Sequence, residues 1–97
     1  MRVVTGRHDE IETYILSEHA ALEIKRRQIP RDVVDLVLQN PEQTCVVRTG
    51  RVVAQSRVRM GNDQKTYLVR VFVDVDRKPA EVVTAYRTSK IEKYWKR

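Results

Sequence analysis

At 97 residues the chain has room for one hydrophobic core and not for two, so a single domain over residues 1–97 is expected. A third of its residues are charged and the formal net charge is +6, a balance found among basic domains whose partners are often polyanions. No apolar run approaches a membrane span, the early Arg2 is followed too soon by Gly6, Arg7, His8 and Asp9 for a signal peptide, and one cysteine with two histidines at unrelated spacings offers no zinc site.

Cys45 has no second cysteine to pair with, so a cytoplasmic location is expected, with Cys45 itself a small core residue in the stretch Cys45-Val46-Val47. No cofactor and no membrane contact are implied.

In chain order, Met1-Arg2-Val3-Val4-Thr5 has the makings of a short strand, whereas Ile11, Tyr14 and Ile15 recur at a helical spacing, predicting a turn or helical segment. Ser17 is suited to cap a helix from Glu18 to about Gln28, with Glu18 in the first turn and Lys25, Arg26 and Arg27 in the last, an order that complements the helix dipole. Ala21, Leu22 and Ile24 are its expected buried residues, followed by Ile29. Pro30 opens a second helix, with Asp32 in its first turn, an apolar face at Val33, Leu36 and Val37, and a stop at Asn40-Pro41.

From Thr44 the periodicity becomes that of strands: 44–49, a turn at Gly50, 51–60, a turn at Gly61-Asn62-Asp63, 65–74, a turn at 76–79, and 81–88. Tyr67, Val69, Val71 and Val73 share one face of the third strand, and Leu68, Arg70 and Phe72 share the other. Connections this short imply an antiparallel meander, and the helices must cover one face of it to bury both apolar surfaces. The expected fold is α+β, with two N-terminal helices packed on a four-stranded antiparallel sheet and a short C-terminal helix capped by Ser89.

The segment from Val82 to Arg97 gathers threonines, a serine, tyrosines and five Lys or Arg residues around that last strand-to-helix junction, a composition suited to a phosphate. Thr84, Tyr86 and Thr88 lie two apart and share a strand face with Val82, while Val83 and Ala85 face the other way. Arg57 and Arg59 share a face with Gln55. This polar stripe is either a phosphate platform or the solvated side of a half-buried sheet.

Ser17-Glu18-His19-Ala20 at a helix start, Arg27 ahead of Ile29, the Asn40-Pro41 stop and the closing Val83-Thr84-Ala85-Tyr86 together resemble the DUF4258 proteins, a bacterial family of small proteins. The likeness covers residues 17–97. That family is similar to the RelE-like and BrnT-like toxins, within a wider group of helix-then-sheet ribonucleases that includes barnase-like and colicin-type nucleases. One departure is Gln28, where the family has a glycine able to turn left-handed at the helix exit.

The resemblance implies a small RelE-like toxin that cleaves RNA without a metal, by 2′-hydroxyl attack on the adjacent phosphate, and is blocked by an antitoxin protein. His19, Tyr86 and Lys90 would be the catalytic residues and Arg27, Arg57, Arg70 and Thr84 would bind substrate. A helix start favours a neutral imidazole at His19, as a general base requires; otherwise His19 simply faces water. His8 lies in a polar stretch with no such pattern. Arg27 equally suits the C-terminal carbonyls of its helix, Tyr86 the margin of the core, and Lys90 an exposed surface. Tyr94 and Trp95 anchor the last helix or stack on bases. The competing expectation is a non-catalytic module that binds RNA or a protein with the same basic face.

Overall fold

A computed structural model of the protein describes residues 3–4, 11 and 13–97. In chain order the elements are β1 (Val3–Val4), β2 (Tyr14–Leu16), α1 (Glu18–Arg26), α2 (Arg31–Gln39), β3 (Gln43–Arg48), β4 (Arg51–Met60), β5 (Lys65–Asp74), β6 (Ala80–Thr88) and α3 (Ile91–Tyr94). His8 lies outside the described residues, as do Met1, Arg2 and Thr5 of the first expected strand.

The alternating, valine-rich stretches from residue 43 to 88 form the expected meander, β3 to β6. β4 and β5 pair without interruption from Arg51 opposite Asp74 to Met60 opposite Lys65. The turns at either end of β4 use Gly50 and Gly61, both at φ 83. At Gly50 a side chain would also collide with Asp76, since a Cβ there would lie 2.5 Å from its carboxylate.

The sheet is larger than the expected four strands and is mixed, in the order β1-β3-β4-β5-β6-β2. β1 adds antiparallel to β3 and β2 adds parallel to β6. Residues 14–16 are thus a strand, against the helical reading of Ile11, Tyr14 and Ile15. The open edge of β6 supplies main-chain partners there, and so short a helix has little propensity of its own to set against them.

Ser17 caps α1 as expected, its Oγ accepting from the Ala20 N–H at 3.0 Å. α1 and α2 lie on one face of the sheet. Their Ala20, Ile24, Val34, Val37 and Leu38, with Ile29 between the helices, close a core against Ala54, Val69, Val71, Val73, Val82 and Ala85. Full burial of a valine or leucine contributes about 1.5–3 kcal/mol.

Both helices are rotated from the expected faces. In α1 the buried residues are Ala20, Glu23 and Ile24, whereas Ala21 is exposed and Leu22 is 68% exposed. The true stripe contains a carboxylate, Glu23, tolerated because Arg26 and Arg27 bind it at 2.6 and 2.7 Å. In α2, Val34, Val37 and Leu38 are buried and Leu36 is exposed, with Val33 packed at the margin. A run as apolar as Val33 to Leu38 offers two helical faces, and packing on the sheet chooses between them.

A bulge in β6 settles the other face. Phe72 pairs with Thr84 but the next residue, Val73, pairs with Val82, leaving Val83 as the extra residue. Val82 is thereby buried beside Ala85 under the helices rather than sharing the face of Thr84, Tyr86 and Thr88, as expected from plain alternation.

Candidate functional site

On the sheet face turned away from α1 and α2, strand pairing sets Gln43 opposite Gln55, Gln55 opposite Arg70 and Arg70 opposite Tyr86. Four strands thus contribute one polar row. Its side chains bond in sequence: Gln55 Nε2 donates to Gln43 Oε1 at 2.8 Å, Arg70 Nε to Gln55 Oε1 at 2.8 Å, and Arg70 Nη1 to Tyr86 Oη at 2.6 Å. Cys45, Val53 and Leu68 are also buried on this face, Cys45 and Val53 on one side of the row and Leu68 on the other, and burial pushes the Cys45 thiol up from its ordinary value.

Arg70 is the centre of the row. It is only 7% exposed, yet no carboxylate among the described residues forms an ion pair with it. Neutral oxygens fill part of its hydrogen-bonding edge, and its Nη2 has no acceptor among the described residues. The guanidinium instead lies near three rings, 4.6 Å from the centroid of Tyr94, 5.4 Å from Phe72 and 5.7 Å from Tyr86. Contacts of this kind offset part of the cost of burying a cation, each by about 0.5–2 kcal/mol. Tyr86 is held in turn by its ring neighbours Phe72 and Tyr94, at 6.1 and 6.0 Å.

The closing segment folds over this row. Lys90 occupies the cap position of α3 without a side-chain bond, and its N–H donates to Thr88 Oγ1 at 3.0 Å, so Ser89 does not cap the helix as expected. Beyond α3 the main chain is held by the glutamines: Gln43 Nε2 donates to the Lys96 carbonyl at 2.5 Å, the Lys96 N–H to Gln43 Oε1 at 3.1 Å, and Gln55 Nε2 to the Tyr94 carbonyl at 3.2 Å. The Trp95 ring lies 4.2 Å from the Arg57 guanidinium. Arg57 also binds Glu42, with Nη2 to Oε2 at 2.9 Å and its main-chain N–H to Oε1 at 2.7 Å. These bonds hold the Glu42 carboxyl below the usual carboxylate range.

Of the residues expected at a site, Arg57, Arg70, Thr84 and Tyr86 therefore share one face, and Lys90 lies exposed at its margin, just past the end of β6. Two do not join them. His19 is exposed on α1, on the helical side of the sheet, and Tyr86 is on the other side. Arg27 bolts α1 to the sheet, with Nη1 donating to the Ala85 carbonyl at 2.8 Å while Nη2 pairs with Glu23.

Sequence reasoning passed over Gln43 as a participant and noted Gln55 only as a neighbour of Arg57. Uncharged amides inside valine-rich strands carry little signal, although a fully buried glutamine must find partners. What the arrangement offers chemically is a guanidinium with an unfilled edge beside a phenol whose own proton is free to be donated, a pair suited to the oxygens of an oxyanion. Comparison of the chain with protein-family models, with curated proteins and with solved structures yields no match, so the likeness to the DUF4258 proteins rests on the residues that carry it.

Proposed function

We propose that the protein binds RNA through the sheet face opposite its helices, with the phosphate backbone held at Arg70 and Tyr86. The observation that carries this reading is the buried guanidinium of Arg70 without a carboxylate among the described residues. A buried charge is costly unless an anion or dipoles compensate it, and a phosphate diester supplies the missing anion. The net charge of +6 and the neighbouring Arg57 and Arg59 favour the same class of ligand. Tyr94 and Trp95 offer ring faces to unpaired bases once exposed, which favours single-stranded RNA over duplex.

One observation favours a second, catalytic reading, that of a RelE-like, metal-independent ribonuclease toxin held in check by a protein antitoxin. The Arg70–Tyr86 contact at 2.6 Å sets a proton-transferring phenol beside a cation able to stabilise the charge that grows on phosphorus-bound oxygens. In that reaction the 2′-oxygen bonds to phosphorus, the 5′-oxygen leaves with a proton, and a 2′,3′-cyclic phosphate remains. Tyr86 would deliver or accept the proton, with Lys90 at the margin; His19, across the sheet, takes no part.

Incubating the protein with single-stranded RNA in EDTA tests both. The expected result is a complex that weakens as salt rises, is unaffected by His19→Ala, and weakens in Arg70→Gln. Fragments ending in 2′,3′-cyclic phosphate, lost in Tyr86→Phe, would establish the catalytic reading. An absence of both complex and fragments would remove RNA as the ligand.

A further inference from the structure

We propose that the segment from Ile91 to Lys96 is a displaceable strap that closes the Arg70 face, latched by the side-chain amides of Gln43 and Gln55. The inference deepens the RNA reading and rests on it, naming how access to the face is controlled.

The strap has little structure of its own. α3 is four residues long, its cap residue makes no side-chain bond and none of its residues is buried. A helix of that length does not sustain itself, so its position is set by what it docks on. It docks through its main chain, at the carbonyls of Tyr94 and Lys96 and the N–H of Lys96.

Where it docks matters. The Tyr94 ring lies over Arg70, which is buried beneath it, while the Trp95 ring stacks on Arg57, which stays about half exposed, so Arg70 is the cation that the strap covers. Arg70 as a whole is only 7% exposed and its Nη2 has no acceptor among the described residues, so moving the covering segment would widen a polymer's access to the guanidinium.

The latch is built to open. Gln43 and Gln55 bond one another and the strap together, and Gln43 alone makes two of the three bonds to its main chain. When the strap lifts, water takes over these amide and carbonyl bonds at little net cost, which an apolar latch of equal area would not allow. A ligand that binds only the open form has its apparent affinity reduced by the fraction of molecules that are closed, so loosening the latch raises that affinity.

The protein reports on its own strap, because Trp95 is its one tryptophan. Gln43→Met keeps the side-chain volume and the net charge while removing two of the three latch bonds. Two quantities are then compared with the parent: acrylamide quenching of Trp95 fluorescence, and affinity for a fluorescein-labelled single-stranded RNA. Stronger quenching together with a several-fold gain in affinity is the expected result. Stronger quenching with unchanged or weaker RNA affinity overturns the gate, and unchanged quenching overturns the latch. Released Trp95 in a protein that binds RNA in neither form retires RNA as the ligand, and the gate with it, a failure distinct from the other two. Should Gln43→Met not fold, amide exchange in the parent protein decides: RNA is expected to speed exchange at the Lys96 N–H, and slower or unchanged exchange there overturns the proposal.

Discussion

Glu42 holds Arg57 by both its side chain and its main-chain N–H, and so competes with any phosphate for that cation. The same bonds keep the Glu42 carboxyl below its ordinary range, and Arg51 does likewise to Asp74 at the far end of β4. A carboxyl with a lower pKa folded than unfolded stabilises the fold above its unfolded value and loses that contribution as pH falls through the folded one. The urea midpoint is therefore expected to stay level from neutral pH down to about pH 5 and to decline below about pH 4. Glu42→Gln should make that decline shallower at small cost near neutrality, because the pair is substantially exposed. Its effect on RNA runs the other way, releasing Arg57 and strengthening binding. Urea melts across pH and a titration at pH 7 check the two halves; a substitution that weakens binding would show that Arg57 needs Glu42 to hold it in place.

Among the elements, the exit of α1 makes a left-handed turn without the glycine that usually allows it. Gln28 stands where the resembling family has glycine, yet it turns left-handed at φ 57. Its N–H bonds the Lys25 carbonyl, the Ile29 N–H bonds the Ile24 carbonyl, and the two isoleucines are buried together, the pattern of a Schellman cap. The cap is worth more than the strain of a side chain in the left-handed region. Gln28→Gly should relieve that strain by about 1 kcal/mol and raise the melting temperature by about 4–8 °C, measured by circular dichroism. An unchanged or lower melting temperature would mean that the Gln28 side chain contributes something the cap does not.

The same scale shows which elements a sequence can disclose. β4 and β5 were legible because each has two faces of different character, so that one alternation fixes both residues and register. The faces of α2 were not, since Val33 to Leu38 is apolar nearly all round. The bulge at Val83 was hidden because Val82 and Val83 are the same residue type, and pairing alone decides which of them turns inward.

Taken whole, the molecule carries two layers of different character across the sheet. The helical side holds the main apolar core, tied at β6 by Arg27, and the opposite side holds the polar row that binds the closing segment. Strand parity set Thr84 with Tyr86 and Arg57 with Gln55 from sequence alone, and it is the pairing of the strands that puts Arg70 between them. Parity says nothing about which face a helix covers, so His19 and Arg27 were grouped with residues from which the sheet divides them.

This division gives a test in which charge is held constant. Arg57→Gln and Lys25→Gln each remove one positive charge, the first from the proposed RNA face and the second from the exposed side of α1. Were binding a matter of overall charge, both would weaken it alike. If one face carries the phosphates, Arg57→Gln should lower the slope of log affinity against log salt by about 1, while Lys25→Gln leaves the slope unchanged. Equal slopes in the two variants would mean that the arrangement around Arg70 is structural and that RNA, if bound, is attracted by the molecule's total charge.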